Sequence, residues 1–308
     1  MTESPTIGAV VALAALLIGA PLVPGLAARA KAIATGRRGP PVWQLYADLW
    51  RLARRGIVYS TTTTWVFRLA PPVLVATTIA AASLLPLDGR GSFLRFAGDA
   101  AGFAYLFALG RFVLVLAALD TGSSFEGMGA SRDVTFAMLV EPGLFVALAA
   151  LGITAHDFSL TAMLGGTAAR PAAGVVTPAL VMVALSLFAL SLAECARVPV
   201  DDPTTHLELT MVHEVMVLDH SGPDLAMLLY ANALKLAVFA AIIVGVLLPV
   251  PRRGGVMGVG SLLAGLIAMG IAIGLVESAM ARLRLPKVPL YIAGGSALAL
   301  FGLILLLR

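Results

Sequence analysis

The residues with the most chemistry available are ionisable side chains set inside long apolar runs. Arg111, Glu141 and Lys235 each fall within a separate run long enough to cross a bilayer. Charges at membrane depth are costly, pair with one another and mark ion paths. Counting about 1.5 Å per residue from the expected cytoplasmic ends puts Arg111 roughly 13 Å deep, Glu141 roughly 12 Å and Lys235 roughly 16 Å. Glu194 and Glu277 lie nearer that surface. Pro142 follows Glu141 and leaves a backbone carbonyl without its helical partner, as hydrated membrane sites do. Desolvation favours a neutral Glu141, while a cation at Arg111 or Lys235 favours the carboxylate. Two readings follow: a structural ion pair that fixes helix packing, or a polar path carrying protons from the cytoplasmic loops to the membrane centre.

A second concentration of polar groups lies in residues 197–224. It holds six of the 17 acids (Asp201, Asp202, Glu208, Glu214, Asp219 and Asp224) and three of the four histidines, with Arg197 at its head. Thr205 and Glu208 fit a capping box, and Ser221-Gly222-Pro223 fits a helix stop. The helix so bounded places His206, His213 and His220 on one stripe, drifting about 20° per heptad. Histidines two turns apart are separated by about 10 Å, too far to share one metal. His213-Glu214 opens the metalloprotease pattern, but position 217 is valine where the second histidine belongs. A polar stripe facing solvent or a partner is therefore expected, and no metal site.

Enzyme signatures are missing. Gly127-Met128-Gly129-Ala130-Ser131-Arg132 lacks the last glycine of a dinucleotide fingerprint and follows an apolar span, not a strand. No Ser/His/Asp arrangement or phosphate loop is found. The single cysteine, Cys195, excludes an intrachain disulfide and a Cys-ligated iron–sulfur cluster held by this chain alone. An independent catalytic site is not expected.

The elements that must position these groups are membrane helices. Of 308 residues, 59% are hydrophobic and 12% charged, with mean hydropathy +0.96, which excludes a water-soluble enzyme. About 20 apolar residues span a bilayer, and eight runs qualify: 6–28, 65–86, 99–119, 133–154, 175–196, 224–249, 256–282 and 288–307. The sequence predicts an all-α integral membrane protein, one polytopic domain of about eight transmembrane helices with amphipathic cytoplasmic loop helices. Met1-Thr2-Glu3-Ser4-Pro5 carries an acid and no base, so the first run is read as a helix, not a signal peptide. In 41–55, Val42, Leu45, Tyr46, Leu49, Leu52 and Ala53 recur at helical spacing opposite Gln44, Asp48, Arg51 and Arg55. Trp43 and Trp50 flank this stripe, as in a helix lying in the membrane interface or docking a soluble partner.

The net charge is +4 and the pI near 9.6. The basic residues sit between spans, so they act as topology signals and do not point to nucleic acid. Thirteen Lys and Arg residues fall on one side, led by Arg29, Lys31, Arg37, Arg38, Arg51, Arg54, Arg55 and Arg68, against six on the other. The richer side is expected to be cytoplasmic, with both termini external in a prokaryotic cytoplasmic membrane.

Gly36-Arg37-Arg38-Gly39-Pro40 with Gln44 and Asp48, then Ala193-Glu194-Cys195-Ala196-Arg197-Val198-Pro199-Val200-Asp201, then Glu141 in the fourth run, together resemble one family over nearly the whole chain. It is the membrane subunit shared by respiratory complex I (subunit 1, or H) and the energy-converting nickel–iron hydrogenases, formate hydrogenlyase subunit 4 among them. Thr204 and His206 stand where complex I subunits tend to carry glutamates framing a quinone chamber, and Arg51 replaces the family's lysine in the interfacial helix. The run 205–211 followed by His213-Glu214 looks like the hydrogenase branch. The resemblance implies a non-catalytic anchor whose loops dock a hydrogenase large subunit and an iron–sulfur small subunit. On that reading the docking residues are Arg37, Arg38, Gly39, Pro40, Gln44, Asp48, Arg51, Arg197, Asp201, Asp202, His206, Glu208, His213, Glu214 and Asp219. Buried charges at Arg111, Glu141, Glu194, Lys235 and Glu277 would couple electron transfer to ion movement through antiporter-like subunits. Nickel, iron and the clusters would belong to those partners, with no cofactor on this chain. The alternatives are a quinone-binding complex I-type subunit and a stand-alone ion transporter.

Overall fold

A computed structural model describes residues 7–89, 91–164, 178–201, 211–247 and 256–307. Among them the elements are α1 (Ile7–Gly19), α2 (Leu22–Ala34), α3 (Gln44–Ala53), α4 (Trp65–Ser83), α5 (Asp99–Asp120), α6 (Ser124–Ala155), α7 (Leu160–Leu164), α8 (Pro178–Glu194), α9 (Gly222–Leu247), α10 (Val256–Ala279) and α11 (Val288–Leu306), with no strand. Six helices are long and apolar enough to cross a membrane, and α1 with α2 forms a further, bent candidate; α8, with 17 residues, is shorter. The fold is thus an all-helical membrane bundle with six clear candidate spans.

Run 6–28 is not one straight helix. α1 and α2 meet at 47°. Pro21 has no N–H, so the Leu17 carbonyl loses its helical partner. Tyr230 Oη donates to that oxygen at 3.0 Å, and Tyr46 Oη donates to the next one, Ile18 O. The break is therefore satisfied from α9 and from α3. Residues 41–55 do form the amphipathic helix: α3 packs on α9 and α2 and leaves Trp43 and Trp50 about two-thirds exposed. Gly25 lets this entry pass, since a Cβ there would collide with Val42 O.

α9 is the central post, with 72% of its apolar window buried; it packs against α4, α3, α8 and α10. Small residues set the other contacts, as is usual where lipid tails remove the hydrophobic drive between helices. A Cβ at Gly274 of α10 would strike Ala27 O of α2, and one at Gly143 of α6 would strike Ser296 of α11. Thr64 caps α4 through Val66 N at 3.3 Å and is itself held by Asp120, at the end of α5, at 2.9 Å.

α6 differs from the expected 133–154. It starts nine residues earlier, at Ser124, and runs 32 residues through Pro142. The described part of the helix expected to end at Ser221-Gly222-Pro223 is not helical: residues 211–221 form a loop with one short turn of 3₁₀ helix, Val215–Val217, and Gly222, at φ 55°, opens α9 instead. His213 and His220 therefore do not share a helical stripe. His213 and His220 take unrelated environments because the loop is drawn inward, Val212, Val215, Met216 and Val217 being buried. His206, with Asp202, Thr205 and Glu208, lies outside the described residues, as do Arg90, Arg170, Arg252, Arg253 and Arg308 of the orientation count.

Candidate functional site: a charge hub between four helices

Arg111 of α5 is the hub. Its NH1 donates to Glu141 Oε1 of α6 at 2.8 Å, its NH2 pairs with Glu194 Oε1 at the end of α8, and its Nε lies 3.4 Å from Asp133 Oδ2 of α6. Lys235 of α9 reaches the same Glu194 oxygen at 2.7 Å and sits 5.7 Å over the Phe107 ring. One carboxylate oxygen thus serves two cations. The planar guanidinium suits this three-way role, because its donors point apart in a fixed fork. Two cations face three carboxylates across four helices.

Exposure divides the cluster. The Glu194 side chain is 6% exposed and Arg111 11%, whereas Glu141 is 43% exposed. Glu141 borders a lateral cleft of about 40 Å³ between α5 and α6, with Tyr105, Ala108 and Phe145 beside it. The inner side of the hub opens on a cavity of about 30 Å³ lined by Arg111, Asp133, Glu194, His213, Asn232 and Lys235. That volume suits one or two waters, with polar partners enough to hold them. A larger cavity of about 220 Å³, among Pro24, Leu45, Arg197, Asp201, Glu214 and Leu228, lies on the side of α2 and α3. Ala196, His213 and Asn232 line both.

Local sequence fixes these positions. α8 ends with Arg197 N bonded to Leu192 O at 2.8 Å, the six-to-one closure of a Schellman turn, and Ala196 holds the left-handed position at φ 48° where glycine is usual. This turn delivers Glu194 to one side and Arg197 to the other. Arg197 Nε lies 2.8 Å from Glu277 Oε1 of α10. Asp201 accepts from Val212 N at 2.9 Å and pairs with Arg282 at 2.9 Å.

The structure therefore brings together Arg111, Glu141, Glu194 and Lys235, and puts Glu277 in a separate pair with Arg197. Asp133 belongs to the hub and was not anticipated. Its spacing of eight residues from Glu141, one face of a helix, was the available signal. Of the expected docking residues, Arg37, Arg38, Pro40, Arg51 and Asp219 are exposed, and Gly39, Gln44 and Asp48 partly so. Gln44 donates to Asp48 at 3.2 Å and Arg51 pairs with Asp48. Arg197 and Asp201 are both engaged inside the chain, with Glu277 and Arg282 respectively, Asp201 being 2% exposed. His213 and Glu214 are half-buried and line cavities. Burial pushes the His213 imidazole below its usual range, against the opposing pull of Asp133. His220 is buried flat on Phe67, ring centroids 3.9 Å apart, and burial pushes its pKa down to about 4. Nearby, Tyr59 Oη donates to Asp224 at 2.9 Å; burial, then that carboxylate, raise its pKa. Among the described residues no group of three metal-ligating side chains occurs.

Residues 7–306 match the family profile described as NADH dehydrogenase. Formate hydrogenlyase subunit 4 of Escherichia coli (strain K12) is 33% identical over 294 residues, covering 94% of each chain. Hydrogenase-4 component C of the same organism is 35% identical over 237 residues, 77% of this chain and 73% of that one. Among solved structures, a chain of the membrane-bound sulfane sulfur reductase, an archaeal respiratory membrane complex, superposes with a TM-score of 0.83 at 19% identity, covering 97% of this chain and 98% of that one. The fold is shared with that complex, and the near-complete sequence match shows that this chain belongs to the NADH dehydrogenase subunit 1-like family.

Proposed function

We propose that the chain is an integral subunit of a membrane-bound nickel–iron hydrogenase or formate hydrogenlyase-like complex in a bacterial inner membrane. It anchors the hydrogenase large subunit and the iron–sulfur small subunit, and couples electron transfer there to proton or Na⁺ translocation. Nickel, iron and clusters reside on those partners. The reading takes α1 with α2 as one pass and α8 as another, giving eight passes with both termini external and the Arg37–Arg55 side cytoplasmic.

The observation that carries it is Glu194 shared between Arg111 and Lys235, with Glu141 on the same guanidinium. A carboxylate poised between two cations can exchange partners for a small displacement, which a lone ion pair cannot. Glu141 adds a second argument. An acid at membrane depth and 43% exposed would face lipid tails unless covered. A neighbouring antiporter-like membrane subunit over the α5–α6 cleft would cover it and receive the ion. That requirement disfavours a stand-alone transporter. Quinone binding is a second reading, favoured by the 220 Å³ cavity with its apolar wall and polar end; quinone extracted from the purified complex would support it.

The test is proton uptake by vesicles holding the complex. Glu194→Gln and Glu141→Gln keep shape and some hydrogen bonding while removing the exchangeable charge. Both complexes should assemble on native gels with metal content intact and lose proton uptake coupled to hydrogen chemistry. Full uptake in both would overturn the coupling role.

A further inference from the structure

His213 was expected on a stripe facing solvent or a partner and is found half-buried, at the joint between two cavities. We propose that His213 is the proton carrier between the larger, 220 Å³ cavity and the Arg111–Glu194 hub. This deepens the coupling role above and rests on it.

The geometry isolates the residue. Among the described residues only Ala196, His213 and Asn232 line both cavities, and of the three only the imidazole can take up and release a proton. An alanine methyl is inert, and a carboxamide holds water without titrating. On the larger side stand Arg197 and Asp201, with Glu214 from the imidazole's own loop. On the hub side stand Asp133 from α6, Glu194 from α8, Lys235 from α9 and Arg111 from α5. Carboxylates thus face His213 on both sides and favour its charging, while cations on both sides oppose it. Burial adds to the cations' side and lowers the imidazole's pKa.

The transfer balances with water alone. A hydronium ion in the larger cavity gives its proton to one ring nitrogen, leaving water and an imidazolium. The imidazolium gives the proton on its other nitrogen to the Asp133 or Glu194 carboxylate, leaving a carboxylic acid and neutral imidazole. Tautomer exchange restores the starting ring. Each cycle moves one proton inward and consumes nothing else. The 30 Å³ volume holds about one or two waters, enough to complete either hand-over without direct contact.

The loop around His213 is built to keep the ring there. Asp201 accepts from Val212 N, and Arg132 NH1 donates to Met211 O at 3.2 Å. On the far side Glu126 accepts from Asp219 N at 3.0 Å, and Gly129 lets α6 approach Val212 O and Met216 closely.

The experiment uses the assembled complex in vesicles and reads proton uptake beside hydrogen turnover. His213→Gln should assemble, while proton uptake per hydrogen turned over falls about 100-fold, the low end for loss of a positioned proton-transfer group. His213→Glu, which can carry a proton, should restore much of it, as should millimolar imidazole added to His213→Ala. Full uptake in His213→Gln, with uptake lost in Glu194→Gln, would overturn this assignment and leave the hub's role standing. Full uptake in Glu194→Gln as well would mean that the hub itself is not the route. Depletion of all three His213 variants from the membrane would make the ring a structural plug and equally overturn it.

Discussion

Replacing Arg111 by glutamine tests whether the hub holds four helices together. The parent has two cations against three carboxylates; the variant keeps Lys235 alone against all three. Glu194 retains Lys235 at 2.7 Å, but Asp133 and Glu141 lose the cation that links them to the hub. Removing one partner of a buried pair costs about 3–5 kcal/mol. Because Asp133 is 23% and Glu141 43% exposed, the low end, about 3 kcal/mol, is the reasoned figure. With an unfolding entropy of about 2.1 cal/mol/K per residue, a 308-residue chain shifts by about 1.5 °C per kcal/mol, so the melting midpoint should fall by about 5 °C. The assay is a thermal melt of the detergent-solubilised complex at one fixed scan rate, since such unfolding is irreversible. Arg111→Lys should recover part of the loss, as charge returns without the three-way fork. Glu194→Gln added to Arg111→Gln should cost less than the two singles combined, with about 1–3 kcal/mol of coupling. An Arg111→Gln complex melting within about 1 °C of the parent, with strictly additive doubles, would refute a load shared through this guanidinium.

Two further outcomes follow from the loops. His220 titrates near 6.5 when unfolded but near 4 in place, so acidification charges the unfolded chain first and stability should fall between those values. About 2 kcal/mol should be lost by pH 5 relative to pH 7, and His220→Phe should remove this dependence, both read from melts at the two pH values. At the cytoplasmic face, the double reversal Arg37→Glu with Arg38→Glu should release soluble subunits on native gels while the chain still inserts. Single reversals should be silent, because exposed pairs contribute only about 0–1 kcal/mol each; an intact complex in high salt would remove this loop from the interface.

Composition and period were enough to establish a helical membrane protein, because about 20 consecutive apolar residues have few alternatives to a spanning helix. They also located α3, whose apolar stripe recurs every three to four residues, and marked Arg111, Glu141, Glu194 and Lys235 as ionisable groups in or beside apolar runs. The break between α1 and α2 was encoded in Pro21, but its satisfaction by Tyr46 and Tyr230 was not, since those hydroxyls come from distant elements. Only the tertiary structure decided which charges meet. Glu194 and Arg111 are 83 residues apart, and Arg197 follows α8 whereas Glu277 lies in α10; sequence spacing carries no record of either pairing. Residues 211–221 are likewise decided by tertiary contacts. A capping box and a heptad of histidines predict a helix, yet burial of Val212, Val215 and Met216 against α6 and α5 offers more than an isolated helix with polar faces could. Local pattern fixes what a segment can become. Which of its polar groups are turned inward depends on what the rest of the bundle leaves unpaired.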